Sequence, residues 1–532
     1  MVKYIFVTGG VFSSVGKGVV AGSLGRMLQE RGVKVGIQKL DPYINVDPGT
    51  LSPYQHGEVF VTNDGAETDL DLGHYERFLD INIKRSCSVS SGQIYERVIG
   101  KERKGEYLGR TIQVVPHITQ EIKNAIEHAA VEMDCDVLVV EVGGTIGDIE
   151  GAPFIEAIRQ MRFDYGDKST MFVHLTWLPF LQATNELKTK PSQHSLRDLR
   201  SLGIIPDIII VRADEEIDEN LCAKIAHFAS VPEKQIFPLV TEKNPYKVPL
   251  QLEKKGVGQF LVERLNLEDR VHAPDWSKWE KTIELSEAVF TQKITIALVG
   301  KYVELQDSYL SVKEALLHAS RHKEAHLTIK WIHAEKVTEE NAAELFKDCD
   351  GILVPGGFGD RGIEGKIIAA RFARTHNIPY LGLCLGMQIM CIEFARAFIN
   401  ATANSAECND GTSTPVVALM DQQQNVTEKG GTMRLGIYPC RLLPGSKAAF
   451  AYGDQDLIYE RHRHRFEFNN VYREQMEKAG LIISGESPDG SLVEIVECKD
   501  HPFMVASQFH PEFLSRPDKP HPLFEAFIQA TL

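Results

Sequence analysis

A glycine-rich turn between a short strand and a helix constrains the fold of this chain more than any other segment. Residues 4–7 are β-branched or aromatic, Gly9 and Gly10 follow them, and a helical pattern begins after Lys17 and Gly18. A strand, a glycine-rich turn and a helix in this order bring backbone N–H groups and a helix N-terminus to one point, which attracts phosphate. The segment therefore predicts an α/β domain that binds phosphate, with Lys17 reaching the outer phosphate groups.

This turn departs from the usual phosphate loop, G-x-x-x-x-G-K-[ST]. Five residues separate Gly10 from Gly16, and Gly18 stands where a metal-binding hydroxyl is usual. Ser13, Ser14 or a distant carboxylate must therefore help to hold a metal ion. An ordinary turn between a strand and a helix is the alternative.

Length, charge and cysteine usage limit the classes of protein to consider. A chain of 532 residues is too long for one core and predicts two to four domains. A net charge of -15 argues against general binding to nucleic acid or to an acidic membrane. No apolar run approaches the roughly 18 residues of a membrane span, and Gly9 interrupts the first run too early for a signal peptide. Nine cysteines without a C-x-x-C pair indicate free thiols in a reducing cytoplasm.

Carboxylates follow or interrupt the strands predicted in the first half. Residues 34–40 read as a second strand, and residues 135–144 form a near-continuous apolar run, typical of a strand buried on both faces of a parallel sheet. Glu141 interrupts that run near its C-terminal end, where such sheets bind ligands. Asp71 lies in a second acidic stretch, residues 64–73. Because hard cations take carboxylate oxygens, Asp71 and Glu141 are the predicted Mg²⁺ ligands.

Two lysines lie between strands predicted at residues 170–177 and 207–211. In an extended segment Lys188 and Lys190 would point the same way, which suits a second polyphosphate. A pair of solvated surface lysines is the alternative.

The alternation of strands and helices weakens over residues 266–292. Trp276 and Trp279 in this region predict a linker that packs on a domain through its tryptophans. We therefore expect one domain over residues 1–268, a linker over residues 269–292 and a second domain over residues 293–532.

A cysteine in the second half lies in the pattern G-x-C-x-G between a strand and a helix. This is the cysteine form of the nucleophile elbow, and a helix N-terminus favours the thiolate of Cys384. His510 can deprotonate the thiol, and Glu512 can fix the imidazole tautomer. The backbone N–H groups of Gly357 and Leu385 are the expected oxyanion donors. The basic segment at residues 460–466 has no suitable metal-ligand partner, so we expect a strand that lines the site of an anionic substrate.

Long stretches in both halves resemble the CTP synthase family, in which a synthetase domain precedes a class I glutamine amidotransferase domain. The matching stretches are residues 6–10, 13–18, 39–50, 56–62, 64–78, 188–190, 382–388 and 430–436. The resemblance implies an α/β fold with two doubly wound domains. The first would be P-loop NTPase-like, of the dethiobiotin-synthetase type, and the second flavodoxin-like. Gly18 is normal for this family.

The resemblance also implies a reaction and its site residues. ATP phosphorylates the 4-oxygen of UTP, and ammonia from glutamine hydrolysis passes internally and displaces phosphate to give CTP. The implied ATP site is Ser14, Val15, Gly16, Lys17, Gly18, Val19, Lys39 and Asp71, with Mg²⁺ on Asp71 and Glu141. The implied site for UTP and inhibitory CTP is Ser13, Asp148, Ile149, Glu150, Lys188, Thr189, Lys190, Pro191, Ser192, Gln193 and Lys224. The implied L-glutamine pocket is Gly357, Leu385, Gly386, Met387, Gln388, Glu407 and Arg465, around the catalytic Cys384, His510 and Glu512.

Further expectations concern regulation and assembly. The resemblance implies GTP as an allosteric activator, with residues 101–108 near its site and the ammonia route, and a homotetramer. A cytoplasmic location and filament formation are further expectations. Two alternatives remain. A cobyrinate-type amide synthase has the same domain order, but the segment around Lys188 and Lys190 argues against it. A nucleotide-gated scaffold is the other, and the complete set of Cys384, His510 and Glu512 argues against a protein without catalysis.

Overall fold

The computed structural model describes residues 2–408, 414–420, 423, 426 and 430–532, and the chain divides into two compact units. The first unit contains Met1–Asp47 and His74–Ile283, and the second contains Pro48–Gly73 and Glu284–Leu532. Residues 48–73 therefore pack with the second unit although the first unit surrounds them in sequence. No sequence pattern indicated this exchange.

Strands and α-helices run through both units of the described chain. The strands are β1 (Lys3–Gly9), β2 (Val35–Asp41), β3 (Phe60–Val61), β4 (Glu67–Thr68), β5 (Ser88–Ser90), β6 (Val137–Val142), β7 (Thr170–Trp177), β8 (Phe180–Leu181), β9 (Glu186–Leu187), β10 (Ile208–Ala213), β11 (Ile236–Val240), β12 (Gln292–Gly300), β13 (Ala325–His333), β14 (Gly351–Val354), β15 (Tyr380–Leu383), β16 (Asn404–Ser405), β17 (Pro415–Leu419), β18 (Arg434–Leu442), β19 (Leu457–His464), β20 (Phe466–Phe468), β21 (Leu481–Glu486), β22 (Val493–Cys498) and β23 (Met504–Ser507). The α-helices are α1 (Lys17–Gln29), α2 (Pro53–His56), α3 (Asp71–Leu79), α4 (Ser91–Arg103), α5 (Thr119–Glu132), α6 (Ala152–Tyr165), α7 (Lys190–Ser201), α8 (Glu219–Ala229), α9 (Val248–Lys254), α10 (Val257–Arg264), α11 (Ser277–Glu287), α12 (Leu310–His322), α13 (Ala342–Phe346), α14 (Ile363–His376), α15 (Leu385–Phe398), α16 (Lys447–Ala451), α17 (Arg473–Ala479) and α18 (Pro522–Thr531).

The first unit is built on a parallel sheet. Within the described residues it has seven strands, in the order β11-β10-β7-β1-β6-β2-β5, and every pairing is parallel. The inner strand β6 is buried along its whole length, as its apolar sequence predicts for a strand covered on both faces. The loops after β1, β6 and β2 therefore meet at one edge of the sheet, where α/β folds bind their ligands.

The second unit has a mixed sheet. In the part of the chain that the structure describes, its nine strands follow the order β13-β12-β14-β15-β23-β22-β21-β18-β19. The pairings from β13 to β23 are parallel, and those from β23 to β19 are antiparallel. Two apolar clusters fill the core of this unit. The predicted α/β class with a parallel sheet in each half is confirmed, and the antiparallel extension is an addition that the sequence did not predict.

The predicted linker contains helix α11, and one of its tryptophans packs on the first unit. The Trp279 side chain is buried, its Nε1 donates to the Tyr246 carbonyl at 2.8 Å, and the Arg26 guanidinium lies 4.6 Å from its ring centroid. The division between the units falls within this segment, after Ile283.

Among the described residues, no helix combines the length and apolar character that a membrane crossing requires.

Candidate functional site

A sharp turn between β15 and α15 carries Cys384. Its φ of +52° lies in the left-handed region, which costs a residue other than glycine roughly 1–3 kcal/mol. The flanking glycines make the turn possible. A Cβ on Gly382 would lie 2.6 Å from the Gly386 carbonyl oxygen, and one on Gly386 would lie 2.1 Å from the Val354 carbonyl oxygen. The G-x-C-x-G pattern is therefore a packing requirement of a nucleophile elbow.

A histidine and a glutamate follow strand β23, which pairs with β15. The His510 Nδ1 atom lies 2.7 Å from Glu512 Oε1, and Cys384, His510 and Glu512 are all buried. Among the described residues, His510 Nε2 has no hydrogen-bond partner. The carboxylate at Nδ1 selects the tautomer in which Nε2 can accept a proton.

The electrostatic surroundings favour a charged imidazole. Burial alone would lower the pKa of His510, but the Glu512 carboxylate and the Cys384 thiol outweigh burial and raise it to about 10. A base of this strength beside a thiol accepts its proton readily, which leaves a thiolate for nucleophilic attack. The Gln508 amide adds a donor 3.6 Å from the Cys384 sulfur. Gln508 adjoins the predicted triad in sequence, but no role was predicted for it.

The elbow opens into a cavity of about 190 Å³, lined by Gly49, Leu51, Pro53, Glu58, Val59, Tyr302, Ser308, Tyr309, Val312, Pro355, Gly356, Gly357, Phe358, Cys384, Arg463, His510, Glu512 and Phe513. The first five of these belong to residues 48–73, which were not predicted to line the cavity beside Cys384. Glu58 accepts a hydrogen bond from the Ser311 N–H at 2.8 Å. Arg463 donates to Glu67 at 2.8 Å and to the Gly49 carbonyl at 3.0 Å. These bonds hold the wall of the cavity in place.

The loop after β14 carries the predicted oxyanion donor Gly357 and is tied down by two side chains. Glu407 Oε1 accepts from the Gly359 N–H at 2.7 Å, and Lys301 Nζ donates to the Phe358 carbonyl. Burial raises the pKa of the Glu407 carboxyl. Leu385 Cδ2 lies 3.4 Å from the position of a Cβ on Gly357, so the two predicted oxyanion residues are neighbours.

The other residues predicted for the glutamine pocket divide into two groups. Gly386, Met387 and Gln388 are buried in the first turn of α15, and Gln388 Nε2 donates to the Phe466 carbonyl at 3.0 Å. Arg465, the residue before Phe466, donates to Gln423 at 2.6 Å. The structure therefore brings α15 and the start of β20 together.

The basic segment forms β19, but it does not present the predicted basic surface. Arg461 is fully buried and donates to Asn63 at 2.6 Å and to the Val61 carbonyl at 3.0 Å. His462 and His464 are buried, and burial lowers the pKa of both, that of His464 to about 3. The prediction of a strand that lines an anion site was therefore wrong for these three residues. Arg461 bonds to residues about 400 positions away in sequence, and the two histidines lie in the core, so a local pattern could not show either arrangement. Arg463 alone in this segment lines the cavity beside Cys384.

In the first unit, the glycine-rich turn has the geometry that its sequence predicts. Gly16 has a φ of +102°, and the Lys17 ammonium donates to the Gly144 carbonyl at 2.7 Å. Ser13 and Ser14 are exposed, while Gly18 and Val19 lie in the first turn of α1. The turn thus presents hydroxyls, backbone and a buried lysine at one edge of the sheet.

A carboxylate and a lysine lie side by side at the same edge. Glu141 of β6 is paired in register with Val7 of β1 and Lys39 of β2, and it accepts a hydrogen bond from the Tyr75 hydroxyl. The Lys39 ammonium lies 3.6 Å from Asp41 Oδ1. Because these residues end the central strands, they lie where ligands of parallel sheets bind.

Asp71, the other predicted metal ligand, is the first residue of α3 and belongs to the second unit. Its N–H donates to Asp69 Oδ1 at 3.0 Å. Within the residues described, no group of three or more His, Cys, Asp and Glu side chains is arranged to hold a metal ion.

The residues predicted for UTP lie in two places in the first unit. Asp148 and Ile149 line a cavity of about 230 Å³ together with Thr8, Gly9, Val142, Gly143, Gly144, Thr145, Ile146, Gly147, Gly151, Ala152, Ile155 and Leu202. Glu150 follows in an exposed turn. Lys188 pairs with Glu186, and the pKa of Glu186 is lowered first by that bond and also by the charge of Lys224.

Lys188 and Lys190 do not share an extended segment, so that prediction was wrong. Strand β9 ends at Leu187, Thr189 has helical backbone angles, and Lys190 begins α7. The physical reason is Pro191, whose fixed φ suits the first turn of a helix. The buried residues of this turn are Thr189, Ser192 and Gln193, and Gln193 Nε2 donates to Thr189 Oγ1 at 3.1 Å.

A third cavity, beside the glycine-rich turn, was not predicted from the sequence. It has a volume of about 190 Å³ and is lined by Gly16, Val19, Val20, Arg212, Leu239, Val240, Thr241, Glu242, Pro245 and Val248. Arg212 donates to the Val15 carbonyl at 2.7 Å and so fixes the turn from the end of β10. The only signal in the sequence was the rule that ligands lie beyond the carboxyl ends of parallel strands.

Comparison with known proteins matches each half of the chain to a protein family. The family described as CTP synthase N-terminus matches residues 3–267, and the glutamine amidotransferase class-I family matches residues 304–530. A CTP synthase of Roseiflexus castenholzii is 58% identical over 532 residues, covering 100% of this chain and 95% of the relative. A CTP synthase of Bacillus subtilis is 55% identical over 533 residues, covering 100% and 99%. A solved glutaminase domain of Trypanosoma brucei CTPS with bound acivicin is 41% identical, covers 45% of this chain and 93% of that chain, and has a TM-score of 0.42.

Proposed function

The chain belongs to the CTP synthase family, and we propose that it aminates UTP to CTP with ATP and glutamine. The observation that carries this proposal is the buried set of Cys384, His510 and Glu512 on a nucleophile elbow, in a chain that also has a glycine-rich turn between a strand and a helix. Such a chain is a carbon–nitrogen ligase that makes its own ammonia.

The glutaminase step is assigned to the elbow of the second unit. The Cys384 thiolate attacks the amide carbon of glutamine, so a C–S bond forms and the C=O electron pair moves onto oxygen. The N–H groups of Gly357 and Leu385 stabilise that oxyanion. The oxyanion collapses, the C–N bond breaks, and His510 gives its proton to the departing nitrogen, which leaves as ammonia. Water then hydrolyses the thioester to glutamate. Glu407, Arg465 and the start of α15 would hold the amino acid part of glutamine.

The ATP site is assigned to the glycine-rich turn of the first unit. Backbone N–H groups of residues 14–19 would bind the phosphates, with Lys17 and Lys39 as counter-charges. The adenine base would occupy the cavity beside Gly16, because that cavity is largely apolar and adjoins the turn. Arg212 would define one wall.

A magnesium ion would be held by Asp71 and Glu141. Their carboxylate oxygens are the donors that this hard cation prefers, and Glu141 lies buried at the ligand-binding edge of the sheet beside Lys39. The ion would neutralise phosphate charge when ATP binds. Lys17 and Lys39 would place the phosphates for transfer.

The UTP site is assigned to Ser13, residues 148–150, residues 188–193 and Lys224, and inhibitory CTP would share its triphosphate part. Support comes from the cavity beside Asp148 and from the proximity of Lys188 and Lys224 to one carboxylate. Phosphorylation at the uracil 4-oxygen creates a good leaving group, and ammonia displaces it.

Finer properties of the family are proposed for this chain as well. They are activation by GTP, a role of residues 101–108 near its site, a cytoplasmic location, a homotetramer that also forms filaments, and the domain boundaries at residues 268 and 292. The family membership supports them.

The test is to incubate the protein with UTP, ATP, Mg²⁺ and glutamine and to measure CTP. We expect CTP only when all four are present, with ammonium salt able to replace glutamine. A panel of other acceptors, including a cobyrinate-type acid, should remain unaminated. Glutamine hydrolysis with amination of another acceptor instead of UTP would overturn the assignment.

A further inference from the structure

A lysine of helix α14 is buried against the loop that carries Gly357. The Lys366 side chain has no exposed surface, and its Nζ lies 3.7 Å from the position of a Cβ on Gly357. Among the described residues, this Nζ has no hydrogen-bond partner. A buried amine without a partner costs stability, so its presence requires an explanation.

Two cations and two acidic groups surround Lys366. Lys301, which holds the Phe358 carbonyl, and Arg361 both disfavour a charge on Lys366, whereas Glu407 and Cys384 favour it. Burial, followed by Lys301 and Arg361, lowers the pKa of Lys366 to about 7. The side chain can therefore change its charge near neutral pH.

We propose that Lys366 is a positioning residue for glutamine hydrolysis, whose ammonium acts through the Gly357 loop to stabilise the oxyanion formed on the substrate. This proposal rests on the assignment of Cys384 as the glutaminase nucleophile. A positive charge next to an oxyanion donor stabilises the oxyanion strongly in a buried site, because little solvent screens their electrostatic interaction. A methionine would fill the same space, so packing alone does not account for an amine here.

The charge is needed only when the oxyanion exists. Lys366→Met should therefore lower kcat for glutamine hydrolysis by about 10- to 100-fold and leave KM for glutamine unchanged. CTP synthesis from ammonium salt should be unaffected, since that reaction does not use the elbow. Lys347→Met, at an exposed lysine paired with Glu344, is the matched control and should behave as wild type.

The pH profile separates this role from a structural one. As pH rises through the pKa of Lys366, the ammonium is lost, so wild-type glutaminase kcat should fall on the alkaline side. Lys366→Arg keeps its charge, so this alkaline limb should disappear while kcat stays near wild type. In Lys366→Met, kcat for glutamine hydrolysis should be low at every pH and should show no such fall on the alkaline side.

Three outcomes would overturn the inference. They are a wild-type kcat in Lys366→Met, a slow Lys366→Met that retains the wild-type alkaline limb, and a Lys366→Arg as slow as Lys366→Met. If Lys366→Met fails to fold, as judged by ammonium-dependent CTP synthesis, the arginine variant decides alone. A wild-type protein that releases no ammonia from glutamine would overturn the proposed function along with this inference, whereas an unaltered Lys366→Met would overturn only the inference.

Discussion

The elbow of the second unit and the glycine-rich turn of the first unit prepare for their ligands in different ways. At the elbow, the predicted catalytic residues have partners within the site, since His510 bonds to Glu512 and the Gln508 amide approaches the Cys384 sulfur. In the first unit, two predicted phosphate-binding lysines contact protein oxygens, since Lys17 of the turn bonds to the Gly144 carbonyl and Lys188, after β9, bonds to Glu186. The proposed glutaminase centre is thus assembled by the protein alone, whereas in the proposed nucleotide region phosphate oxygens would replace protein oxygens.

This difference has a consequence for stability. The elbow carries a left-handed φ at Cys384 and a buried amine at Lys366, both of which cost free energy of folding. Strain of this kind is common where a site is assembled in advance of its substrate. The turn instead uses Gly16 for its positive φ, which costs little. Substitutions in the nucleotide region should therefore change CTP formation, whereas a substitution at the buried amine of the elbow should also change the stability of the fold.

Apart from the loss of Cys384, the largest expected effect belongs to the nucleotide region. If Asp71 holds Mg²⁺ with Glu141, Asp71→Asn removes a charged ligand and should lower CTP formation by roughly a hundredfold or more from either nitrogen source. Basal glutamine hydrolysis should largely survive, because the elbow does not need the metal. Steady-state assays of CTP and glutamate would show this, and near-normal CTP synthesis would remove Asp71 from the site.

A smaller effect is expected at the triphosphate of UTP. Each charge-assisted contact should contribute about 1.5–3 kcal/mol, so Lys188→Ala should raise the UTP requirement about tenfold or more. Inhibition by CTP should weaken in parallel, if the two nucleotides share this contact. Lys234→Ala, at an exposed lysine of the same unit, serves as the control. An unchanged response to both nucleotides would place Lys188 on the solvated surface.

The smallest effect concerns the stability cost at Lys366. Its pKa is lowered from 10.5 to about 7, so folding releases a proton between those values and wild-type stability rises with pH through that window. Lys366→Met lacks this dependence. We expect the variant to melt about 2 °C or more above wild type near pH 6.5, with a smaller gain near pH 9.5. Thermal unfolding at the two pH values checks this, and a gain independent of pH would contradict the buried charge.

The sequence predicted those features whose residues lie close together along the chain. The elbow was readable because Gly382 and Gly386 are required within two residues of Cys384, and Glu512 lies two residues from His510. The extended segment predicted around Lys188 failed because Pro191 starts a helix there. Arg212 was not predictable, since its hydrogen bond to Val15 closes a loop of 197 residues.

The same limit applies to residues 48–73 and to Lys366. Residues 48–73 lie between two parts of the first unit in sequence, and only their tertiary contacts, such as the hydrogen bond of Glu58 with Ser311, show that they belong with the second unit. Lys366 reads as an ordinary helix lysine until its burial is known. Tertiary packing, not local pattern, decides such positions.

The central claim is that Cys384 makes ammonia and takes no part in amination. It is tested most directly by measuring CTP formation by Cys384→Ala with glutamine and, separately, with ammonium salt. The account predicts no CTP from glutamine and a near wild-type rate from ammonium, rising with pH as more neutral ammonia is present. Loss of the ammonium-dependent rate in a folded Cys384→Ala protein would contradict it.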